Sequence, residues 1–351
     1  MGPTMSTSRR PSNRLRGGWG GRAVAAAMLA GGIAAAAVGA AVDGAGAPGG
    51  APGAADPRGS TATSAAAADP FTGARPGQCI SWRTDPAGGV TAFAVVDCAE
   101  PHRYEVSRRV DLAELPEVAG EYPPGVGQPT ARQLVDLRDR VCREATIDYL
   151  DGRFDPAGAF TIAPMLPPAE AWAEGDRTML CGIQRPGPDG SPEVNEGPAR
   201  RADQAATYPP GACVAVDERG SLVPADCADP HIFESVAVVD LRAEFGEAFP
   251  AEQAQNDYLS DVCTTAAVDY FGGGEAGDDA LYASTLLPFW LPVGEESWSR
   301  GSHSTNCWLA KDSGGEGFAT LQGPVLGEFT IDGAPPTPPP PRNPRRGEAP
   351  R

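Results

Sequence analysis

The sequence predicts an α+β fold repeated in tandem: two small domains, each a short antiparallel sheet with one packed helix, stapled by disulfides. Three observations carry this. The block Asp97-Cys98-Ala99-Glu100-Pro101-His102 returns 129 residues later as Asp226-Cys227-Ala228-Asp229-Pro230-His231. The 8 cysteines fall four to a copy, at 79, 98, 142 and 181 and at 213, 227, 263 and 307. Each copy places short β-branched or aromatic runs around a single stretch with helical spacing. A period near 125 residues suits one domain per copy and is far too long for a solenoid repeat.

Taken in chain order, residues 1–22 form a basic cytoplasmic segment, with Arg9, Arg10, Arg14, Arg16 and Arg22 and no acid. Residues 23–42, Ala23 to Val42, are a charge-free apolar run of 20 residues, enough at about 1.5 Å per residue to cross a bilayer core of about 30 Å. They read as a transmembrane signal anchor, with a cleaved signal peptide as the alternative; Val38-Gly39-Ala40 would serve as its cleavage site. Ser8-Arg9-Arg10 continues poorly as a twin-arginine signal. Either way the Arg cluster stays inside and the chain after Asp43 lies outside, in an extracytoplasmic location. Residues 43–76, rich in Ala, Gly and Pro, cannot bury enough apolar surface to offset ordering entropy and read as a disordered tether. As a coil such a tether spans about 30 to 35 Å, and fully extended about 110 Å.

The first domain is assigned to residues 77–186. Gln78 to Trp82, Phe93 to Val96 and Tyr104 to Val110 read as a meander of strands parted by Gly and Pro turns. Thr130 with Gln133 forms a capping box, after which Leu134, Leu137, Val141, Ala145 and Tyr149 mark one buried helix face. Phe160 to Met165 and Thr178 to Ile183 resume strand character, giving β-β-β-α-β-β. Residues 187–210, rich in Pro, Gly and charge, read as a linker. Residues 211–325 repeat the first domain, with a helix from about Gln253 to Tyr270. Gly272-Gly273-Gly274 follows that helix and reads as its cap and a loop, not as a phosphate cradle. Residues 326–351 read as a Pro-rich disordered tail with a basic tip at Arg345-Arg346.

Outside the cytosol the cysteines default to disulfides. Four per copy allow three pairings. The order of elements favours Cys79 with Cys98, tying adjacent strands, and Cys142 with Cys181, pinning the helix to the last strand. Chain-entropy arithmetic assigns about 3 kcal/mol to the shorter loop and about 4 to the longer. Zinc is the competing reading, since Cys98-x3-His102 and Cys227-x3-His231 have ligand-like spacing. Cys79 and Cys213 lack a second His or a C-x2-C knuckle nearby, so no metal or other cofactor is expected. No C-x-x-C pair suggests thiol redox chemistry.

The formal net charge is −18, and residues 43–351 carry −23 of charge, a surface that repels phosphate backbones; no nucleic-acid partner is expected. For catalysis, Asp97 with His102 and Asp226 with His231 are the recurring acid and imidazole pairs, able in principle to serve a wall-active hydrolase. The stronger reading is structural: Pro101 and Pro230 fix a turn, the acid accepts backbone N–H groups, and the His opens the next strand. No G-x-S-x-G or S-x-x-K motif supplies a nucleophile, and no catalytic residue is assigned. His303 stands where the first copy has Asp176-Arg177. Trp172 and Trp298 each precede the last Cys by nine residues; they could stack on sugars, but the fixed spacing favours packing.

These landmarks resemble the septum-formation domain family of actinobacterial membrane-anchored proteins. They are Gly77-Gln78-Cys79, the turn Asp97 to His102, Tyr122-Pro123-Pro124-Gly125, and Trp172 through Gly175-Asp176-Arg177 to Cys181. The second copy keeps Ser297-Trp298 but has Gly301-Ser302-His303 in place of Gly-Asp-Arg; the first has Ala171 where the family has Ser. If Asp and Arg form a structural pair in the family, the second copy has lost it. The resemblance implies a role in division or envelope organisation, with the membrane and divisome or cell-wall components as partners and no established catalytic residues.

Overall fold

The computed structural model describes residues 70–340 apart from 85–89, 119, 188–189, 219, 316 and 338. The basic segment, the apolar run, residues 43–69 of the tether and residues 341–351 of the tail lie outside the described residues. Among the described residues no helix is long and apolar enough to cross a membrane.

The fold is α+β and duplicated. In module 1 the strands are β1 (Cys79–Thr84), β2 (Val90–Val96), β3 (Tyr104–Asp111), β4 (Thr161–Met165) and β5 (Thr178–Gln184). They form one antiparallel sheet in the order β2-β1-β3-β5-β4. Module 2 repeats it with β6 (Cys213–Val216), β7 (Leu222–Ala225), β8 (Phe233–Asp240), β9 (Leu287–Trp290) and β10 (Ser304–Ala310), in the order β7-β6-β8-β10-β9.

Strand β5 is buried almost throughout because both faces of its sheet are covered. Met179, Cys181 and Ile183 face the helix-side core, whereas Leu180 joins Ile80, Tyr104 and Val106 in a second cluster. That second cluster is closed by Phe71 from a short helix α1 (Pro70–Gly73). The fold therefore starts inside the segment assigned to the tether: Phe71 and Ala74 are buried although their neighbours are small and polar.

The helix of module 1 runs as α2 (Ala131–Leu137), a π turn (Arg138–Cys142) and α3 (Arg143–Tyr149), opened by the Thr130–Gln133 capping box. The π turn absorbs one residue and rotates the buried face. Thus Cys142, Thr146 and Leu150 face the core after it, and Ala145, expected there, is only half-buried. In module 2 the equivalent helix α6 (Glu252–Tyr270) is continuous and buries Gln255, Leu259, Cys263 and Ala267 at regular spacing of four. Leu259 stands four residues before Cys263, whereas Leu137 stands five before Cys142; the π turn accommodates the extra residue.

Short helices among the described residues include α4 (Ala169–Ala173) in the first module, and α5 (Arg242–Phe245) and α8 (Glu295–Ser299) in the second. The triglycine departs from expectation. Gly272 and Gly273 do end α6, but Gly274 opens another helix, α7 (Gly274–Ser284), whose Gly277 packs so closely on Val268 that a Cβ would overlap the backbone.

The segment assigned to a linker is part of the fold. Ala199 lies in the module 1 core, Asn195 bridges to His102, and Gln204 is buried. Small side chains and backbone hydrogen bonds hold this stretch, a mode of anchoring that a composition rich in Pro and Gly hides. Module 2 likewise runs past residue 325, through a hairpin of β11 (Leu321–Gln322) and β12 (Thr330–Ile331), and Tyr282 donates to the Pro340 carbonyl at 2.7 Å.

Candidate functional site

All eight cysteines are paired: Cys79–Cys98, Cys142–Cys181, Cys213–Cys227 and Cys263–Cys307. The first bond of each module closes a strand hairpin, and the second fastens the long helix to the last sheet-centre strand.

Around the hairpin bond each module assembles the same cluster. Asp97 Oδ1 accepts the Ala99 N–H at 2.9 Å, and Asp226 Oδ1 accepts that of Ala228 at 2.9 Å, so each acid shapes the turn before Pro101 or Pro230. His102 and His231 follow, 2% and 1% exposed. Their Nδ1 atoms lie 2.8 and 2.9 Å from the carbonyls of Glu100 and Asp229, which assigns the proton to Nδ1. His231 Nε2 is buried without a hydrogen-bond partner among the described residues.

Three residues beyond each His lies a carboxylate that the sequence reading missed. Glu105 and Glu234 are both 1% exposed. Glu105 accepts from the Tyr149 hydroxyl at 2.6 Å and from the Ala199 N–H at 2.5 Å. Glu234 accepts from Tyr270 at 2.7 Å and from the Val325 N–H at 2.9 Å. Burial first, and then the bond to the carboxylate, pushes both phenols well above the ordinary tyrosine range, so both remain donors at physiological pH. Two signals could have found this: Pro-His-x-x-Glu occurs in both copies, and Gly197-Pro198 recurs as Gly323-Pro324 just before the donating N–H groups. Each repeat therefore extends 15 residues beyond its last cysteine strand, from Gln184 to Ala199 and from Ala310 to Val325.

A sulfur of Cys79, a nitrogen of His102 and an oxygen of Glu105 converge within 4.8 Å, as do those of Cys213, His231 and Glu234. As a donor set this suits a metal poorly. The sulfur belongs to a disulfide, so no thiolate is offered, and both oxygens of each glutamate already accept protein hydrogen bonds.

Trp172 and Trp298 are buried. Their indole N–H groups donate to the carbonyls of Val126 and Glu247, and their rings meet Tyr122 and Phe249 edge-on. Asp176 and Arg177 do not form an ion pair with each other. Arg177 donates to the carbonyls of Tyr122, Pro123, Trp172 and Asp176 and lies 4.2 Å from the Trp172 ring centre. In module 2 His303 meets Trp298 edge-on at 4.8 Å.

The replaced residues also join the modules. Ser302 donates to Asp155 at 2.6 Å, and Asp203 accepts from the His303 N–H and the Ser304 hydroxyl. Gln204 links both sides, taking the Ala159 N–H on its carbonyl while its own N–H donates to Gly301. A groove of about 300 Å³ opens along this joint, lined among others by Asp155, Tyr208, Ser297, Ser302 and Trp308.

Fold and site together define a class: tandem disulfide-stapled α+β modules, each built around a buried carboxylate beneath a Cys-x-x-Pro-His turn. The sequence profile of the family described as septum formation matches residues 76–307, and the chain belongs to that family. It is 33% identical over 268 residues to a protein named an uncharacterized membrane protein in two strains of Mycobacterium tuberculosis, CDC 1551 / Oshkosh and H37Rv. The match covers 75% of this chain and 58% of each relative, so the chain spans under two thirds of their length. No solved structure matches it.

Proposed function

We propose that the chain is a membrane-tethered, extracytoplasmic binding or scaffold protein that acts without catalysis at the division septum. The family match and the membrane naming of the mycobacterial relatives support the septal and membrane parts of this reading. Full pairing of the cysteines suits an oxidising compartment, in keeping with an anchor at 23–42 that leaves the modules outside.

The observation that carries the non-enzymatic part is the fate of the repeated acid and imidazole pairs. Asp97 and Asp226 accept backbone N–H groups in turns, and both imidazoles are walled in with Nδ1 held by a carbonyl. A general base must reach the proton that it removes, and imidazoles buried to this depth are not placed to do so, which supports a structural role for the pairs. The function then rests on position: an anchor fixes one end, the tether sets reach, and two linked modules raise effective concentration for wall or divisome partners.

A fluorescently tagged full chain, imaged in dividing cells, tests the reading. Enrichment at the septum is expected, and uniform envelope labelling overturns it. Turnover of purified wall material by the native chain, lost in His102→Ala/His231→Ala, would restore the hydrolase reading.

A further inference from the structure

The two copies have diverged in charge. Residues 70–201 hold 14 Arg against 20 acids, whereas residues 202–332 hold three Arg and one Lys against 22 acids. Part of that difference is concentrated at one place. Beside the Cys79–Cys98 bond lies a pocket of about 430 Å³, lined by Gln78, Asp97, Tyr149, Arg200 and Arg201 among others.

Arg200 is held in place. Its Nε and Nη2 grip Asp151, closest at 3.0 Å, its carbon end sits 5.5 Å from the Tyr149 ring centre, and its carbonyl accepts from Arg153. The guanidinium of Arg201 has no ion pair or hydrogen bond among the described residues, although the chain is strongly acidic. The Arg201 N–H fixes the turn by donating to the Pro198 carbonyl. Gln78 is steadied through its Oε1, which accepts the Arg75 N–H at 2.7 Å.

Module 2 supplies an internal control. It keeps Gly211 and Cys213, Asp226-Cys227, Tyr270 and Gly323-Pro324, but Leu326 and Gly327 stand where module 1 has Arg200 and Arg201. Module 2 forms the same turn without either arginine; Arg200 goes with its partner Asp151, where module 2 has Gly272, which leaves Arg201 as the arginine whose side chain has no scaffold partner among the described residues.

We propose that this pocket binds the phosphate of a phosphorylated sugar or polyol. Guanidinium groups stay charged at all relevant pH and match phosphate oxygens with paired donors. Asp97 sets the rest of the ligand. A bare anion would meet its carboxylate unfavourably, whereas a hydroxyl flanking the phosphate donates to it, and the Gln78 amide serves a second hydroxyl. This rests on the envelope-binding reading above and names the chemistry bound. The phosphate can come from a soluble glycan or from a lipid headgroup.

Calorimetry of the purified full chain with glucose 1-phosphate, glucose and inorganic phosphate tests the site. Glucose 1-phosphate should bind more tightly than either fragment, and Arg201→Glu should weaken it about tenfold or more. Arg201 is exposed, so the variant should keep its melting temperature; Arg201→Gln is the second variant, and it should also weaken binding. Vesicles containing phosphatidylinositol distinguish the sources. Co-sedimentation that depends on Arg201 assigns the headgroup, and glucose 1-phosphate binding without it assigns a soluble glycan. Absence of glucose 1-phosphate binding, or binding and sedimentation indifferent to both variants, overturns the proposal. Septal localisation kept by Arg201→Glu together with absent binding would sink this site alone; lost localisation of a native chain that binds would sink the septal reading alone.

Discussion

A carboxylate with almost no exposure is tolerable only when its oxygens are met by donors. Glu105 and Glu234 satisfy this with a phenol and a backbone N–H each, joining the helix end, the central strand and the final Gly-Pro segment at one point. Tyr149→Phe or Tyr270→Phe removes one donor and should cost about 1–3 kcal/mol, read from urea denaturation at neutral pH. The phenols also set an alkaline limit. Because their folded pKa is raised, their contribution is complete below the unfolded value of about 10 and is lost as pH climbs through the folded one. Native stability should therefore hold to about pH 9 and fall above about pH 10. The double variant should show a shallower alkaline decline, with Tyr104, Tyr122 and Tyr208, each raised first by burial, supplying what remains. The cysteines, His102, His231 and both tryptophans were legible as landmarks because repetition marks them. The glutamates were not, since a single acid between strand residues looks like a solvated face until its donors, some 40 to 90 residues away, are known.

At the scale of elements, strands and the long helices followed from alternation, capping and spacing. The π turn in module 1 did not, because an inserted residue leaves the apolar pattern intact on each side and only shifts its phase. One substitution pair shows how the copies stay equivalent. Ser107 and Thr146 share a buried hydroxyl bond at 2.7 Å, and the matching residues of module 2 are Val236 and Ala267, both apolar. Exchanging both partners keeps burial free of an orphaned hydroxyl. The disulfides are the strongest local ties. Cys142→Ala/Cys181→Ala should destabilise by about 2–5 kcal/mol. Its effect should exceed that of Cys79→Ala/Cys98→Ala by about 0.6 kcal/mol on loop length alone, since the sequence separations are 39 and 19. Denaturation midpoints of the two variants check the order.

For the molecule as a whole, the joint matters most. Asp203, Gln204 and Ser302 bind one module to the other, and Gly158 lies so close to Gln204 that a Cβ would overlap its carbonyl. The duplication was plain in the sequence, but the joint was not, since Gly301-Ser302-His303 looks like a loss when set against Gly-Asp-Arg. It is instead where the second copy was adapted to dock on the first. Calorimetry should show the native modules melting in one transition. Asp203→Ala/Ser302→Ala, or Gly158→Ala, should split it in two; a single unsplit transition in both variants would count against coupling through the joint.

The hydrogen bonds across the joint let the pair act as a caliper. On the binding reading proposed above, surfaces of the two modules would meet a partner at one spacing and one angle, so a partner whose own features recur at that pitch would engage both modules and a differently spaced one only a single module. On that reading, geometry would select the partner before any side chain reads its chemistry.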